Sequence, residues 1–427
     1  MEIVFHGATK EVGRSCVEVI TAGKNRFLLD AGIKFSDAGT EFPSPVIEPS
    51  GLKGVFISHA HLDHTGYIPL LDANGLRCPI FATEPTKATT KMLLMDAFKI
   101  GRIRHEHLGY GEENIAKALS WMRRVKLDRK GSIGDIEFEM FDAGHIPGSA
   151  SVLIEANEKK RLFYTGDINT TDTRLLKKAE AEYKDLGEID MMITEATYGG
   201  REHPKREKEE KEFIESIKST IDNGGSVIVP VFAEGRSQEI MLILDKIGLE
   251  VPVYLDGMAI EATRMIREFP SSVKDPKALE SAFKGVKLVK GVIQREKIAH
   301  QQGVFVTTSG MLTGGPVMTY LREMSQNKKN AILLTGYQAE HTNGRLLVEN
   351  GIVFIDGWRT KINCYVRKFD FSAHCGRSEL RALIRKINPG SIAVNHGDAD
   401  SCLALAEWAD AMGFKAHVPY MNERINV

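Results

Sequence analysis

Short apolar runs rich in β-branched and aromatic residues recur through residues 1–199 and predict β-strands. These runs lie at Glu2–Phe5, Ser15–Ile20, Asn25–Asp30, Lys53–Ser58, Ile136–Phe141, Arg161–Asp167 and Ile189–Thr194. The pattern changes between the fourth and fifth runs, since Thr86 to Ile100 places its apolar residues at helical spacing. Residues 62–127 are therefore predicted to be mostly helical.

Residues 200–360 alternate strand-like and helix-like segments at the spacing of βαβ units. Predicted strands lie at Ser226–Val231, Val251–Leu255, Gly303–Thr308 and Ala331–Thr335, and a predicted helix covers Ala233–Ile247. This pattern is typical of an open, largely parallel α/β domain. The following residues return to the first style, with strands at Ile362–Phe371 and Ile392–Asn395. We therefore predict one domain made of residues 1–199 and 361–427, interrupted by a second domain at 200–360.

The polar residues that follow the predicted strands carry the candidate chemistry. His59, His61, Asp63 and His64 fall within six positions directly after the strand Lys53–Ser58. The chain has only 13 histidines in 427 residues, so this density is unusual for a surface turn, which is the alternative interpretation. Imidazole and carboxylate groups are zinc ligands, and α/β proteins place ligand sites at strand ends. The cluster therefore predicts a metal site.

Other strand ends carry the same kinds of side chain. They are Asp30, His145, Asp167, Glu195, His374 and His396. A carboxylate directly after a buried run needs partners, so we expect Asp30 to orient the 59–64 loop; the alternative is a turn residue before glycine. Glycine before His145 and Pro-Gly after it predict a tight turn that aims the imidazole. The repetition indicates one shared edge of one sheet system, to which the end of the chain returns.

The candidate donors divide into two groups suited to zinc. One group is His59, His61, His145 and Asp167, and the other is Asp63, His64 and His396, with Asp167 able to bridge them. A ligand set without cysteine points to a catalytic zinc site. Two zinc ions about 3.5–4 Å apart activate a shared water and clamp a phosphoryl group, work in which Asp63 takes part as a ligand. Glu195 and His374 stay outside both groups, and a carboxylate raises the pKa of a neighbouring imidazole, so His374 is a candidate general acid.

Composition narrows the class of protein. Hydrophobic residues make up 42% and charged residues 26% of the chain, and the formal net charge is −1, so any nucleic-acid site must be a local basic cleft. The five cysteines form no CxxC pair, which argues against a disulfide framework or a zinc ribbon and fits a reducing cytoplasm. No signal-peptide pattern and no run of about 18 apolar residues occur, so we predict a cytoplasmic protein without a membrane span.

The His-x-His-x-Asp-His pattern at residues 59–64, with Asp30, His145 and Asp167, resembles the metallo-β-lactamase superfamily. Three later residues look like the added motifs of its β-CASP branch, which processes nucleic acids: Glu195, His374 and His396. The insertion at 200–360 is similar to the β-CASP domain in place and size. So are three phrases within it: Phe232–Glu239, Ser309–Gly315 and Gly336–Gln338.

The resemblance is closest to the cleavage-and-polyadenylation-specificity-factor type of archaea and bacteria, and RNase J is a more distant relative. It implies an α/β fold, an αββα metallo-β-lactamase sandwich with an inserted parallel α/β β-CASP domain. It also implies two Zn²⁺ per chain and hydrolysis of single-stranded RNA in a cleft between the domains. Longer archaeal relatives begin with two KH domains, whereas this chain starts at its first strand, so we expect it to resemble the short form.

Several finer expectations come from the same resemblance. A histidine at position 396 is typical of RNA-processing members, since the DNA-repair branch usually has valine there. Relatives hold a substrate phosphate at the place of Ser372 and Ala373, through backbone N–H and hydroxyl groups. Where relatives commonly have glycine this chain has His341, so backbone approach to RNA differs there. Three residues of the insertion either line the RNA cleft or make structural hydrogen bonds: Arg236, Ser309 and Gln338.

Alternatives to a zinc-dependent ribonuclease remain open on the sequence. One is a DNA-processing β-CASP nuclease, and another is a small-ester or thioester hydrolase of metallo-β-lactamase fold. The large insertion and the late histidines count against the second. A third is a non-catalytic RNA-binding subunit, but every ligand position is filled. The sequence leaves endonuclease and 5′→3′ exonuclease modes both open, and a homodimer or an RNA-processing complex is compatible with it.

Overall fold

The computed structural model describes residues 1–36, 39–44, 47–179 and 186–427. The chain divides into two compact units. The first contains Met1–Asp172, Lys177–Glu202 and Ala373–Val427, and the second contains Thr173–Leu176 and His203–Ser372. No helix of the described ranges is long and apolar enough to cross a bilayer.

The first unit is built on strands that appear early in the chain. They are β1 (Glu2–Phe5), β2 (Val17–Ile20), β3 (Arg26–Leu29), β4 (Lys34–Ser36), β5 (Gly39–Glu41), β6 (Leu52–Phe56), β7 (Ile80–Ala82), β8 (Met122–Arg124), β9 (Gly131–Ile133), β10 (Ile136–Asp142), β11 (Ala150–Ala156), β12 (Arg161–Tyr164) and β13 (Met191–Glu195). The helices between them are α1 (Leu62–Thr65), α2 (Ile68–Ala73), α3 (Glu84–Ile103) and α4 (Glu112–Trp121).

The second unit follows as an alternation of helices and short strands. Its helices are α5 (Arg206–Asp222), α6 (Arg236–Asp245), α7 (Met258–Ile266), α8 (Pro276–Gly285), α9 (Val292–Ala299), α10 (Val317–Met324) and α11 (Asn343–Asn350). Its strands are β14 (Val227–Pro230), β15 (Val253–Asp256), β16 (Lys287–Leu288), β17 (Val304–Thr307), β18 (Ala331–Leu334), β19 (Ile352–Ile355), β20 (Trp358–Lys361) and β21 (Tyr365–Lys368). The chain then returns to the first unit with α12 (Arg377–Ile387), β22 (Ser391–Asn395), α13 (Ala399–Ala411), β23 (Lys415–His417) and β24 (Arg424–Asn426).

Two seven-stranded sheets face each other in the first unit, with strand orders β24-β1-β2-β3-β6-β7-β8 and β23-β22-β13-β12-β11-β10-β9. Alternating apolar residues on their inner faces, such as Phe5, Phe27, Val152 and Ile193, form one buried core between the sheets. Helices α2 and α4 cover the outer face of the first sheet. Helices α12 and α13 cover the outer face of the second. The unit is thus an αββα sandwich, as predicted.

The second unit has a six-stranded sheet of order β16-β15-β17-β14-β18-β21, in which every neighbouring pair is parallel. Its strands are apolar on both faces because helices cover both sides, which is the expected pattern for a parallel sheet. One core contains Val229 and Val306, and the other contains Phe305 and Leu334. The predicted parallel α/β character of residues 200–360 is present here.

The strand predicted at Ile362–Phe371 differs in placement from the expectation. The structure shortens it to β21 and pairs it with β18, so that Ile332 lies beside Val366 in the sheet of the second unit. The second unit accordingly continues to Ser372, past the predicted boundary at residue 360. The likeness of this apolar strand to those of the first domain did not determine its partner, because strand pairing depends on tertiary context.

Candidate active site

Most candidate residues of the first unit lie at or just past the carboxyl ends of parallel strands in the two sheets. His145 and His374 differ, since His145 follows the antiparallel strand β10 and His374 follows β21 of the second unit. Asp30 follows β3 and the 59–64 loop follows β6, whereas Asp167, Glu195 and His396 end or follow β12, β13 and β22. The prediction of a single sheet edge is therefore replaced by two facing edges. Polar groups gather there because the ends of parallel strands leave backbone groups and loops free to converge.

Four side chains place one donor atom each around a common point. His59 Nε2 lies 3.1 Å from His61 Nδ1, which lies 3.4 Å from His145 Nε2. Asp167 Oδ2 lies 3.6 Å from His59 Nε2 and 3.7 Å from His145 Nε2. Ligands about 2.0–2.1 Å from a tetrahedral zinc ion lie about 3.3–3.4 Å apart, so the group has the dimensions of a zinc site. It is the first predicted donor group.

Hydrogen bonds fix which imidazole nitrogens face that point. His145 Nδ1 donates to the carbonyl of Ala373 at 2.8 Å. Ser58 Oγ donates to Asp30 at 2.7 Å, so His59 Nδ1, 3.1 Å from the same hydroxyl, donates to it. Both Nε2 atoms therefore carry lone pairs toward the centre, and His61 Nδ1 can donate to only one of them. A cation between the nitrogens removes this repulsion, which is an independent indication that the residues fit a metal ion.

A second group shares Asp167 with the first. Asp167 Oδ1 lies 3.5 Å from His64 Nε2 and 3.1 Å from His396 Nδ1. Asp63 Oδ2 lies 3.4 Å from His396 Nε2 and 3.9 Å from His64 Nε2. Three of these buried atoms, Asp167 Oδ1, His64 Nε2 and His396 Nδ1, make no hydrogen bond of acceptable geometry. Buried polar atoms normally have partners, so three that converge without one fit a second metal ion.

Charges in this cluster are strongly coupled. Burial and then the His64 charge lower the pKa of His59. Burial alone would raise the pKa of Asp167, but His396 and His64 outweigh it and lower that pKa. Burial alone would lower the pKa of His396, but Asp167 and Asp63 raise it to about 10. Asp167 is therefore anionic at neutral pH and His59 is neutral, the states in which these groups bind metals, whereas His396 is protonated in the metal-free protein and must release a proton when a metal binds.

Asp30 connects the metal-facing residues to the rest of the sandwich. It is fully buried, and its Oδ2 accepts hydrogen bonds from His64 Nδ1 at 2.6 Å, Tyr164 Oη at 2.6 Å and Ser58 Oγ at 2.7 Å. Its Oδ1 accepts from the backbone N–H of Ser58 at 2.7 Å. The bond to His64 Nδ1 leaves Nε2 free to face the second donor group. Asp30 therefore contacts a candidate ligand, and its role in orienting that ligand stays a prediction.

His374 pairs with Glu195 at the margin of the cluster. Its Nδ1 lies 3.0 Å from both carboxylate oxygens of Glu195, which also accept hydrogen bonds from the backbone N–H groups of Ile168 and Thr197. Burial would lower the pKa of His374, but the Glu195 charge outweighs it and the pKa is raised. The His374 side chain is 20% exposed, whereas those of His59 and His64 are fully buried. The Glu195 carboxylate thus favours the charged form of the imidazole, which is partly exposed to solvent.

A loop that the sequence reading did not assign supports the second donor group. The carbonyl of Ala8 accepts from the backbone N–H of His396 at 2.8 Å, and the N–H of Gly13 lies 3.4 Å from His396 Nε2. The backbone N–H of Ser15 donates to the carbonyl of Asp63 at 2.7 Å. A Cβ on Gly32 would lie 1.6 Å from that same carbonyl, so only glycine allows this approach. Gly7 and Gly13, at the two ends of this loop, were the available signal in the sequence.

The residues predicted to contact RNA have diverse environments. Ala373 contributes its carbonyl to His145, as described above, and Ser372 is the last residue of the second unit. Gln338 is buried and donates to the carbonyls of Gly310 and Gly336, which favours the structural alternative for this side chain. Ser309 Oγ accepts from the backbone N–H of Thr313 and so shapes its own loop. Arg236 begins α6. RNA contact by these residues stays a prediction.

Comparison with known families agrees with this architecture. Three family models match: a Beta-lactamase superfamily domain over residues 25–221, a Beta-Casp domain over 237–347, and a Zn-dependent metallo-hydrolase RNA specificity domain over 359–419. The chain belongs to the β-CASP branch of the metallo-β-lactamase superfamily, a class of metal-dependent hydrolases.

Curated relatives include "Probable RNase MJ4" of Methanocaldococcus jannaschii, 41% identical over the full length of both chains. "RNase aCSPSF2" of Saccharolobus solfataricus is 33% identical, over 94% of this chain and 80% of the relative. "Transcription termination factor FttA" of M. jannaschii is 34% identical, over 95% of this chain and 68% of the relative. A crystal structure of a protein of unknown function from Enterococcus faecalis covers 99% of both chains with a TM-score of 0.60; at 14% identity it supports the fold alone.

Proposed function

We propose that this protein is a ribonuclease that hydrolyses RNA phosphodiester bonds with two zinc ions held at the site described above. The observation that carries the proposal is the pair of donor groups joined through the two oxygens of Asp167. Paired metal sites of this kind perform in-line displacement at phosphorus. Relatives named as RNases at up to 41% identity support RNA as the substrate class.

The chain's own residues hold and orient the reacting groups. His59, His61, His145 and Asp167 would hold one ion, and His64 and His396 with Asp167 would hold the other. Asp63, whose Oδ2 lies 3.9 Å from His64 Nε2, would complete the second set. The chemistry that the ions supply when bound is activation of a water and neutralisation of the phosphodiester oxygens. The surrounding burial keeps the ligands fixed, because Asp30, Ser58 and the Ala373 carbonyl lock the imidazoles in one orientation.

His374 is the proposed general acid. Its raised pKa favours the protonated imidazole, and its partial exposure lets it reach a ligand outside the buried cluster. Glu195 holds Nδ1, so Nε2–H is the proton available to the leaving oxygen of the cleaved phosphodiester. This division predicts that His374 is needed for turnover and not for metal retention.

The finer properties belong to the same proposal. Endonucleolytic cleavage, 5′→3′ exonucleolytic cleavage, or both are compatible with the site, and the proposed setting is RNA processing or decay in the cytoplasm. Self-association or assembly in an RNA-processing complex stays a prediction. A DNA substrate is the second candidate, because the phosphodiester chemistry described here does not use the 2′-hydroxyl.

The decisive experiment uses 5′-labelled RNA carrying a monophosphate or a triphosphate, incubated with the zinc-loaded protein. Progressive loss from the 5′ end identifies an exonuclease, and discrete internal products identify an endonuclease. Single-stranded DNA of the same sequence tests the second candidate. His64→Ala should abolish turnover, whereas the matched control His107→Ala, which removes an exposed histidine from a loop, should not. Absence of RNA cleavage by zinc-loaded protein contradicts the proposal.

A further inference from the structure

The hairpin formed by β19 and β20 lies outside the six-stranded sheet of the second unit. Its strands are joined by the two residues Asp356 and Gly357, both with positive φ, 51° and 81°. Asp-Gly in this conformation is a favoured two-residue hairpin turn. The turn and the pairing of Ile355 with Trp358 define the register of the whole hairpin.

The two faces of this hairpin differ sharply. On one face Val353 and Ile355 are buried in the core that also contains Phe305 and Leu334. On the other face Phe354 lies opposite Arg359, and Lys361 lies opposite Ile352. The Phe354 ring is 46% exposed, and Trp358 at the tip is 77% exposed. Trp358 pairs with Ile355 and so belongs to the first face, but it lies at the tip and is exposed there. We call Phe354, Arg359 and Lys361, together with Trp358 at the tip, the hairpin platform.

The strands that carry this platform are anchored. The side-chain amide of Asn343 donates to the carbonyl of Phe354 at 2.8 Å and accepts from its backbone N–H at 2.8 Å. Gln326 Nε2 donates to the carbonyl of Lys361 at 2.9 Å. An anchored surface loses little conformational entropy when it binds a partner.

The platform is also cationic. Asp356, the only carboxylate of the hairpin, is held by two hydrogen bonds from Arg322, at 2.8 and 2.9 Å. Arg359 and Lys361 are exposed and have no carboxylate partner anywhere in the described ranges of the chain. Two unneutralised cations share a face with the exposed Phe354 ring, and a second exposed ring, Trp358, lies at the tip. Neither feature is required by the hairpin turn or by the core under it.

We propose that the hairpin platform binds single-stranded RNA that passes over the hairpin tip, with one base stacked on Phe354, another on Trp358, and phosphates bound by Arg359 and Lys361. This inference rests on the proposed function, which makes RNA the substrate. Aromatic side chains interleaved with cations are the common device for binding single strands without sequence preference. A two-fold contact between copies of this chain, centred on the hairpin, would bring like charges together, whereas RNA neutralises them.

Tryptophan fluorescence reads the proposed stacking directly. The metal-loaded protein is titrated with a phosphorothioate-linked RNA of about ten nucleotides, which is hydrolysed slowly and spans one platform. Binding should quench the exposed Trp358, while Trp121 and Trp408 are only partly exposed. Trp358→Phe should abolish the quench and keep most of the affinity, measured by anisotropy of labelled RNA. Trp358→Ala should weaken binding about tenfold, the effect of losing one stacked base.

Two controls separate the platform from general surface effects. Ile293→Ala removes another exposed apolar side chain, 85% exposed, and should leave RNA affinity unchanged. Arg359→Ala should lower the slope of log affinity against log salt by about 0.7, as expected for one phosphate contact on a single strand. Unchanged affinity and salt dependence in both Trp358→Ala and Arg359→Ala overturn the proposal. So does a dimer in sedimentation velocity that Trp358→Ala dissociates without any change in RNA binding.

Hydrolysis of bis(p-nitrophenyl) phosphate distinguishes this proposal from the proposed function. The compound is a phosphodiester too small to require the platform, so Trp358→Ala should hydrolyse it at the unaltered rate. Platform-dependent RNA binding without any hydrolysis would support the platform proposal and contradict the proposed ribonuclease activity. RNA hydrolysis with an RNA affinity that no platform substitution changes would support the proposed ribonuclease activity and contradict the platform proposal.

Discussion

Replacing Asp30 with asparagine perturbs the site without touching a candidate ligand. Asparagine has nearly the volume of aspartate and tolerates the left-handed conformation that Asp30 adopts, with φ of 59°. The change therefore keeps the backbone and the packing. It removes the negative charge that His64 Nδ1 contacts at 2.6 Å, and it replaces one acceptor oxygen with an NH₂ group.

The cost follows from the four hydrogen bonds that Asp30 accepts. If the NH₂ group replaces Oδ2, it faces the donors of His64, Tyr164 and Ser58 Oγ; if it replaces Oδ1, it faces the backbone N–H of Ser58. The better orientation leaves one buried donor without an acceptor and adds the unsatisfied amide. At about 1–3 kcal/mol for each, Asp30→Asn should lower the free energy of unfolding by about 2–6 kcal/mol. Loss of an outer partner should also weaken zinc binding by about 10- to 100-fold.

Chemical denaturation and zinc titration against a chelating dye measure the two effects. Asp72→Asn is the matched control, because Asp72 is a buried carboxylate that accepts from Asn114 and Trp121, on helices that carry none of the candidate ligands. It should lower stability and leave zinc affinity unaltered. Asp30→Asn with unchanged zinc affinity would show that Asp30 serves the fold alone and would refute its role in orienting His64.

Three further predictions concern the same molecule. His374→Ala should retain two zinc ions by elemental analysis and lose turnover by about 100- to 10,000-fold, the usual contribution of a general acid; zinc loss instead would make His374 a ligand. Treatment with EDTA should lower the melting temperature and zinc should restore it, because a ligand that binds only the folded state stabilises it; His64→Ala should reduce this shift, and an equal shift in that variant would contradict the assignment. All five cysteines are buried, and burial raises the pKa of each thiol. Iodoacetamide at pH 8 should therefore label the native protein far more slowly than the urea-unfolded protein. Equal labelling rates would contradict the burial of the cysteines.

Local patterns in the sequence were enough to identify most residues of the candidate site. The 59–64 cluster, His145 and Asp167 were recognisable because each follows an apolar strand, and strand ends in an α/β fold meet. His396 lies more than 330 positions beyond His64 in the chain, yet the same rule identified it, because it also follows an apolar strand. In the structure that strand, β22, pairs with β13 in the second sheet. The αββα sandwich followed from the resemblance of these motifs and not from the strand pattern itself.

Other features depended on pairings that no local pattern specifies. Nothing in the residues near Tyr164 indicates that its hydroxyl donates to Asp30, which is 134 positions earlier in the chain. The same holds for β21, whose pairing with β18 placed it in the second unit. The Asp-Gly turn of the β19–β20 hairpin was a readable signal, but the burial of one face and exposure of the other required the packed structure.

Zinc add-back to EDTA-treated protein, with RNA hydrolysis and bound zinc followed in the same samples, tests the central claim most directly. The proposed two-ion site predicts no hydrolysis without metal. It also predicts a rate that rises as the second equivalent of zinc binds, because both donor groups, which share Asp167, must hold an ion. Full activity in metal-free protein, or no hydrolysis with both equivalents bound, would contradict the claim.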